Sequence, residues 1–264
     1  MALRYEFLMH GILAVAALHL STLQTARKTE LLQAAMRLEN VAIPSFRRLL
    51  SSNNSENIRA VFAFAGFVVP YMLAMSGSHD SSNCIPSLDN KHPHWFHSLR
   101  GLIMLLVRTQ DDLAQGPLSP LLTKCAPTDY GRNPEDIHFV RIQKLLQSTT
   151  LSSGSDEKDL AACLGALDGL RRIAASICSQ CNTALKVAPL YAWPGTVSQH
   201  FLELLHQRKP ETLVILAHYC VLLKRVNSCW YFEGVGEKLL GAIDKELSED
   251  WKHWIEWPLK QPIK

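Results

Sequence analysis

The sequence predicts an all-α protein, and three observations predict it. Period-two alternation of apolar and polar residues is almost absent from the 264 residues. Apolar residues recur instead every three or four positions through most of the chain. The stretches that interrupt them, Ser51-Ser-Asn-Asn-Ser55, 76–91 and 148–155, are rich in Ser, Gly, Asp and Asn, which favour turns. With 47% apolar and 19% charged residues the chain can bury a large core, and we expect one multi-helix domain over residues 1–264.

The first helix is expected from Leu3 to about Thr25, with Leu8, Ile12, Val15, Leu18 and Leu23 on its buried stripe. His10 and His19 interrupt it. Nine residues at about 100° each put them on opposite faces, so both read as separate core histidines. A second helix, about Thr29 to Leu50, carries Leu32, Ala35, Leu38 and Val41 on one stripe and a kink at Pro44. The third, Glu56 to about Met75, bears Phe62, Phe64, Phe67, Tyr71, Met72 and Met75, soft and aromatic side chains that suit a core or the wall of an apolar cavity.

A fourth helix spans about His94–Thr109, and a shorter Pro-interrupted element spans Asp111–Thr123. Pro134 opens a fifth that continues to Gln147. A long helix then runs from Ser155 to about Thr183 on Leu160, Leu164, Leu167, Leu170, Ile173 and Ile177. The remaining helices are expected at Gly195–Arg208, Pro210–Val226 and Trp230–Leu247, with a final turn at Trp251–Trp257. Between Leu213 and Leu223 only His218 and Tyr219 carry strongly polar atoms, so this helix is apolar on every side and must be buried. A buried histidine needs a partner or loses its charge.

Several chemistries are excluded or left without support. The net charge is +3 and no Lys/Arg run reaches four, so the chain lacks the basic footprint of a nucleic-acid binder and is not expected to contact DNA directly. The seven cysteines are odd in number and irregularly spaced, the usage of a reduced compartment. Cys178-Ser-Gln-Cys181 is the one Cys-x-x-Cys, placed on a helix with no thioredoxin-like context. Cys84 with His92, His94 and His97 fits no zinc spacing, and no metal is expected. Gly234-Val-Gly236 and Gly241 have the wrong spacing for a dinucleotide loop, and no nucleophile elbow or phosphate loop occurs, so no cofactor is expected. Arg4 before Ile12–Leu18 imitates a leader peptide, but Glu6, His10 and His19 break the pattern. The apolar stretch Ala60–Met75 is short for a bilayer span and contains Pro70, so no membrane insertion is expected.

The runs Trp193-Pro, Phe201-Leu-Glu-Leu-Leu205, Lys209-Pro-Glu-Thr-Leu-Val-Ile-Leu-Ala-His-Tyr219, Leu222-Leu-Lys-Arg225, Trp230-Tyr-Phe-Glu-Gly234 and Trp254-Ile-Glu-Trp-Pro258, with Leu8–Leu20 and Trp95–Leu106, carry a resemblance. The chain resembles the C-terminal regulatory domain of fungal zinc-cluster transcription factors, nearest the sterol uptake control branch. The resemblance implies an all-α domain with a hydrophobic internal cavity, a homodimer, a sterol-like hydrophobic small molecule as ligand, and an intracellular place in cytoplasm or nucleus. It places Phe67, Tyr71, Met75, Leu222, Trp230, Phe232 and Val235 around the ligand. Val235 stands where related domains usually have Trp, and Phe232 replaces a common Leu, so the expected pocket differs in volume. The resemblance also makes Gly234-Val-Gly236 the tight turn between the last two long helices. The chain begins at Met1 on its first helix without a zinc cluster. This leaves a second expectation open: a stand-alone, cofactor-independent cyclase, isomerase or epimerase using His218, His10, Tyr71 or Tyr219 as acid and base.

Overall fold

The computed structural model describes residues 4–51, 55–76, 85–86, 95–114, 130, 133–153, 157–178 and 183–262. Among them there is no strand, and the protein is all-α. In order the helices are α1 (Glu6–Leu23), α2 (Lys28–Ser51), α3 (Ser55–Ser76), α4 (Trp95–Ala114), α5 (Asp136–Ser153), α6 (Glu157–Cys178), α7 (Thr183–Thr196), α8 (Gln199–His206), α9 (Pro210–Lys224), α10 (Val235–Glu246), α11 (Glu249–Lys252) and α12 (Glu256–Lys260). They fall into two compact units: Met1–Ser78 with Gly101–Lys124, and His79–Arg100 with Cys125–Lys264.

In the first unit, α1 and α2 form a hairpin packed on α3. The buried face of α1 is Phe7, Leu8, Gly11, Ala14, Leu18 and Ser21; of the expected stripe Leu8 and Leu18 lie on it, and Ile12 and Val15 are half-buried. Leu23 is 67% exposed, and His19 is exposed rather than in the core. The reason is close approach. A Cβ on Gly11 would stand 2.8 Å from Cε2 of the fully buried Phe64 ring, so only the small-residue face admits that ring. Phe7 meets Phe64 edge-on at 5.4 Å, and Phe46 packs at 4.8 Å. On α2 the buried residues are Leu31, Ala35 and Ala42, and Val41 faces water.

In the second unit α9 is the centre, buried at every position from Thr212 to Lys224. Pro210 supplies the expected start. Glycine then sets how α10 packs on α9. Gly234 adopts φ +71° and its N–H donates to Asn227 Oδ1 at 2.8 Å, turning the chain. A Cβ on Gly236 would lie 2.9 Å from the Cys220 carbonyl oxygen, so the two helices touch backbone to backbone. The run Gly234-Val-Gly236 is thus a helix-pairing turn, and α10 begins at Val235 instead of Trp230.

Other boundaries also move. The fourth helix continues through Asp111-Asp112 to Ala114, and 115–123 lie outside the described residues. α5 runs on to Ser153 where a loop was expected from Ser148. The Ser148 hydroxyl donates to Leu145 O at 2.8 Å, so this serine is satisfied inside the helix. The long helix α6 is described over Glu157–Cys178, and 179–182, which hold the rest of its expected span, lie outside the described residues. The expected Gly195–Arg208 helix is two pieces: Ser198 accepts the Phe201 N–H at 3.1 Å and starts α8 afresh. The final turn is likewise two short helices, α11 and α12. The unanticipated α7 contains Pro189 and Pro194. Proline 194 cannot donate to the Leu190 carbonyl four residues back, and the Tyr219 hydroxyl donates to that oxygen instead, at 3.0 Å.

Two helices have the length and apolarity of a membrane span, Glu6–Leu23 and Asn57–Met75, with 39% and 50% of those windows buried inside the protein. Among the described residues no group of His, Cys, Asp and Glu is placed to hold a metal ion. Cys84 and His92-Pro-His94 lie outside them.

Candidate functional site

Six of the residues singled out from sequence gather along α9 and its turn into α10: His218, Tyr219, Leu222, Trp230, Phe232 and Val235. Tyr219 is fully buried and stacks on Trp193 at 4.5 Å, while Trp95 lies parallel at 6.4 Å. Trp193 is fixed in turn, its indole N–H donating to Ala166 O at 2.8 Å. Since the Tyr219 proton is committed to Leu190 O, and burial pushes this phenol far above its ordinary range, Tyr219 is a structural donor.

His218 projects about 100° round the helix from Tyr219 and is 2% exposed. Its Nδ1 is 2.9 Å from the Val214 carbonyl, which can only accept, so Nδ1 carries the proton. Burial pushes its pKa down to about 4, and the ring is neutral at pH 7. It stacks on Trp257 at 5.3 Å, and His138 stacks on the same indole at 4.2 Å.

The turn after α9 carries the half-buried aromatic wall. Trp230 packs edge-on against Tyr231 at 5.4 Å, and Tyr231 is 5.1 Å from the fully buried Phe232. The Tyr191 hydroxyl donates to the Tyr231 hydroxyl at 3.0 Å, and Tyr231 also pairs with Cys229. Burial raises both phenols well above the ordinary range, so both stay protonated donors. Phe232, Leu222 and Val235 are buried and Trp230 is half-buried, and the pair of neutral hydroxyls lies in the same unit.

Phe67, Tyr71, Met75 and His10 belong to the other unit. Phe67 packs against the Phe7–Phe64 core, Tyr71 is buried, and Met75 and His10 are half-buried. Burial, and then Glu39, push the Tyr71 phenol up to about 12, and burial raises Glu39 to about 7. Of the four acid-base candidates, His10 and Tyr71 therefore share one unit and His218 and Tyr219 the other.

Sequence reasoning missed the Tyr191–Tyr231 pair, because residues 184–194 carry two prolines and gave no helical period. It also missed the clasp at the end of α9. Buried Lys224 donates to the carbonyls of Gln261 and Pro258 at 2.8 and 3.3 Å, and Arg225 pairs with Glu135. A lysine closing an otherwise apolar helix was the available signal.

Compared with known proteins, the chain is 23% identical over 267 aligned positions to a Zn(2)-C6 fungal-type transcription factor of Gibberella zeae, a match covering 96% of this chain and 52% of that protein. The chain thus spans about half the length of this relative. No family model matches the chain, and no solved structure matches it.

Proposed function

We propose that this chain is the regulatory part of a Zn(2)-C6-type transcription factor, acting inside the cell and responding to a hydrophobic small molecule. The observation that carries the reading is the similarity along 96% of the chain to half of such a factor. The sequence has no closely spaced set of six cysteines, so DNA recognition falls to a region other than this one. The ligand sits in the second unit against Trp230, Phe232, Val235 and Leu222, with its polar group toward the Tyr191–Tyr231 hydroxyls. A sterol, with one hydroxyl on a rigid apolar body, has this complement.

Thermal unfolding in the presence of ergosterol tests the ligand. Saturation at 100 times Kd adds about 2.7 kcal/mol, so the melting temperature rises in the natural chain and is unmoved in Trp230→Ala. An unmoved natural chain with sterol, and with other apolar one-hydroxyl compounds, sinks the ligand assignment. Reporter output from residues 1–264 fused to a heterologous DNA-binding domain tests the regulatory role separately.

The same reading includes a homodimer. Leu13, Ala16, Leu20 and Leu23 are exposed on one stripe of α1 at 3-4-3 spacing, the pattern of a helix seam. No charged residue occurs between Glu6 and Arg27 to oppose self-pairing. A single-copy mass by light scattering at micromolar concentration would refute this part.

A further inference from the structure

We propose that Cys178 is an oxidation site for hydroperoxides, at which the oxygen added to sulfur is held by the Asn133 amide and the Arg225 guanidinium. The site needs nothing from the ligand reading above.

Among the described cysteines, Cys163 and Cys220 are buried and Cys229 is half-buried, whereas Cys178, the last residue of α6, is exposed. Its Sγ lies 3.5 Å from Asn133 Oδ1 and 3.9 Å from Arg225 Nη1. The guanidinium N–H groups lie beside the sulfur, where they can donate to the peroxide oxygen on which negative charge builds as the O–O bond breaks. By contrast, burial pushes the Cys163 thiol up to about 12 and raises Cys220 as well, keeping both inert.

Asn133 shows which electrophile fits. It is 3% exposed, and its Oδ1 accepts both the thiol and the Glu135 N–H at 3.1 Å, which fixes the amide orientation. Its Nδ2, on the same carbon as that oxygen, is buried with no hydrogen-bond partner. A buried unpaired donor costs about 1–3 kcal/mol and calls for an acceptor. A thiol sulfur is a weak acceptor, while a sulfenic oxygen is a good one. Alkylation would add no such atom. The Arg225 guanidinium, now paired with Glu135, offers further N–H groups to the same oxygen.

The step balances. Sγ attacks the peroxide oxygen, an S–O bond forms, and the O–O bond breaks. Sulfur loses two electrons, and the leaving oxygen takes them with the thiol proton, departing as water or an alcohol.

The test treats the whole chain with hydrogen peroxide in the presence of dimedone, and reads each cysteine by peptide mass spectrometry. Cys178 should be labelled about tenfold faster than Cys229, with Cys163 and Cys220 unlabelled. Asn133→Asp keeps the acceptor for the Glu135 N–H but removes the amide donor, and Arg225→Gln removes the cation. Each should slow Cys178 labelling several-fold with an unchanged helical circular dichroism spectrum. The comparison with Cys229 in the natural chain needs no variant. Equal labelling of Cys178 and Cys229, or unchanged rates in both folded variants, overturns the proposal.

Discussion

Helices α1 and α9 look alike in sequence and are used in opposite ways. Each is apolar around its whole circumference, with no charge from Phe7 to Leu23 in α1 and none from Thr212 to Leu223 in α9. Yet α9 is buried at every one of those positions, while α1 leaves Leu13 46%, Leu20 41% and Leu23 67% exposed and buries Gly11 and Ala14 instead. Apolar composition states that a helix can be surrounded. Whether it is depends on how many neighbours reach it and on which face they can approach closely.

Truncation in the two helices should separate them most. Leu216→Ala removes fully buried volume and should cost about 2–5 kcal/mol, whereas Leu20→Ala, exposed in the single chain, should stay within about 0.5 kcal/mol at dilutions where the proposed homodimer has dissociated, both read by chemical denaturation. Similar losses at the two sites would mean that the α1 stripe is covered in solution, as pairing with a second copy would cover it.

Glycine provides the next contrast. At Gly236 an added Cβ meets the Cys220 carbonyl and the Lys224 backbone nitrogen, atoms that a rotamer change cannot move. At Gly11 it meets the Phe64 ring edge. Gly236→Ala should therefore destabilise by about 1–3 kcal/mol, and by more than Gly11→Ala, where the ring can tilt. Matched melting curves rank the two, and the reverse order would show that the Phe7–Phe64 core is the stiffer.

The smallest expected effect is a difference in pH dependence. Burial raises the Glu39 carboxyl from 4.5 to about 7, so between those values the folded state holds more proton than the unfolded chain and stability falls as pH rises. Burial lowers His218 from 6.5 to about 4, so between those values the unfolded chain holds more proton and stability falls as pH drops. Glu39→Gln should flatten the loss between pH 4.5 and 7 and leave the acid-side loss from His218 in place. A variant whose stability profile matches the natural chain would show that Glu39 titrates as if in water.

Most of the helical architecture was legible in the sequence, and the reasons for the errors are local. The start of α9 followed from Pro210 as a first-turn residue, and its complete burial from apolarity. The serines at the end of α5 read as a loop because serine favours turns, but a hydroxyl bonded one turn back is compatible with helix. The break at Val197–Ser198 was missed although Ser198 is a good N-cap, because Phe201, Leu204 and Leu205 continued the period. At the candidate site, the aromatic residues of the α9–α10 turn were visible as types. Their hydroxyl partner Tyr191 was not, since the bond from Tyr219 that supports its proline-rich helix comes from far along the chain.

By itself the sequence determined that the chain is helical and that α9 lies inside, because period and apolarity are properties of neighbouring residues. The turn at Gly234 was implied by the resemblance, whereas helical period alone had run a helix through it from Trp230. Only the tertiary structure decided which face of α1 is buried, that Cys178 sits beside Asn133 and Arg225, and that Lys224 clasps the C-terminal carbonyls. Those outcomes depend on atoms 34 to 53 residues apart meeting within a few ångströms, and no local pattern encodes such a meeting.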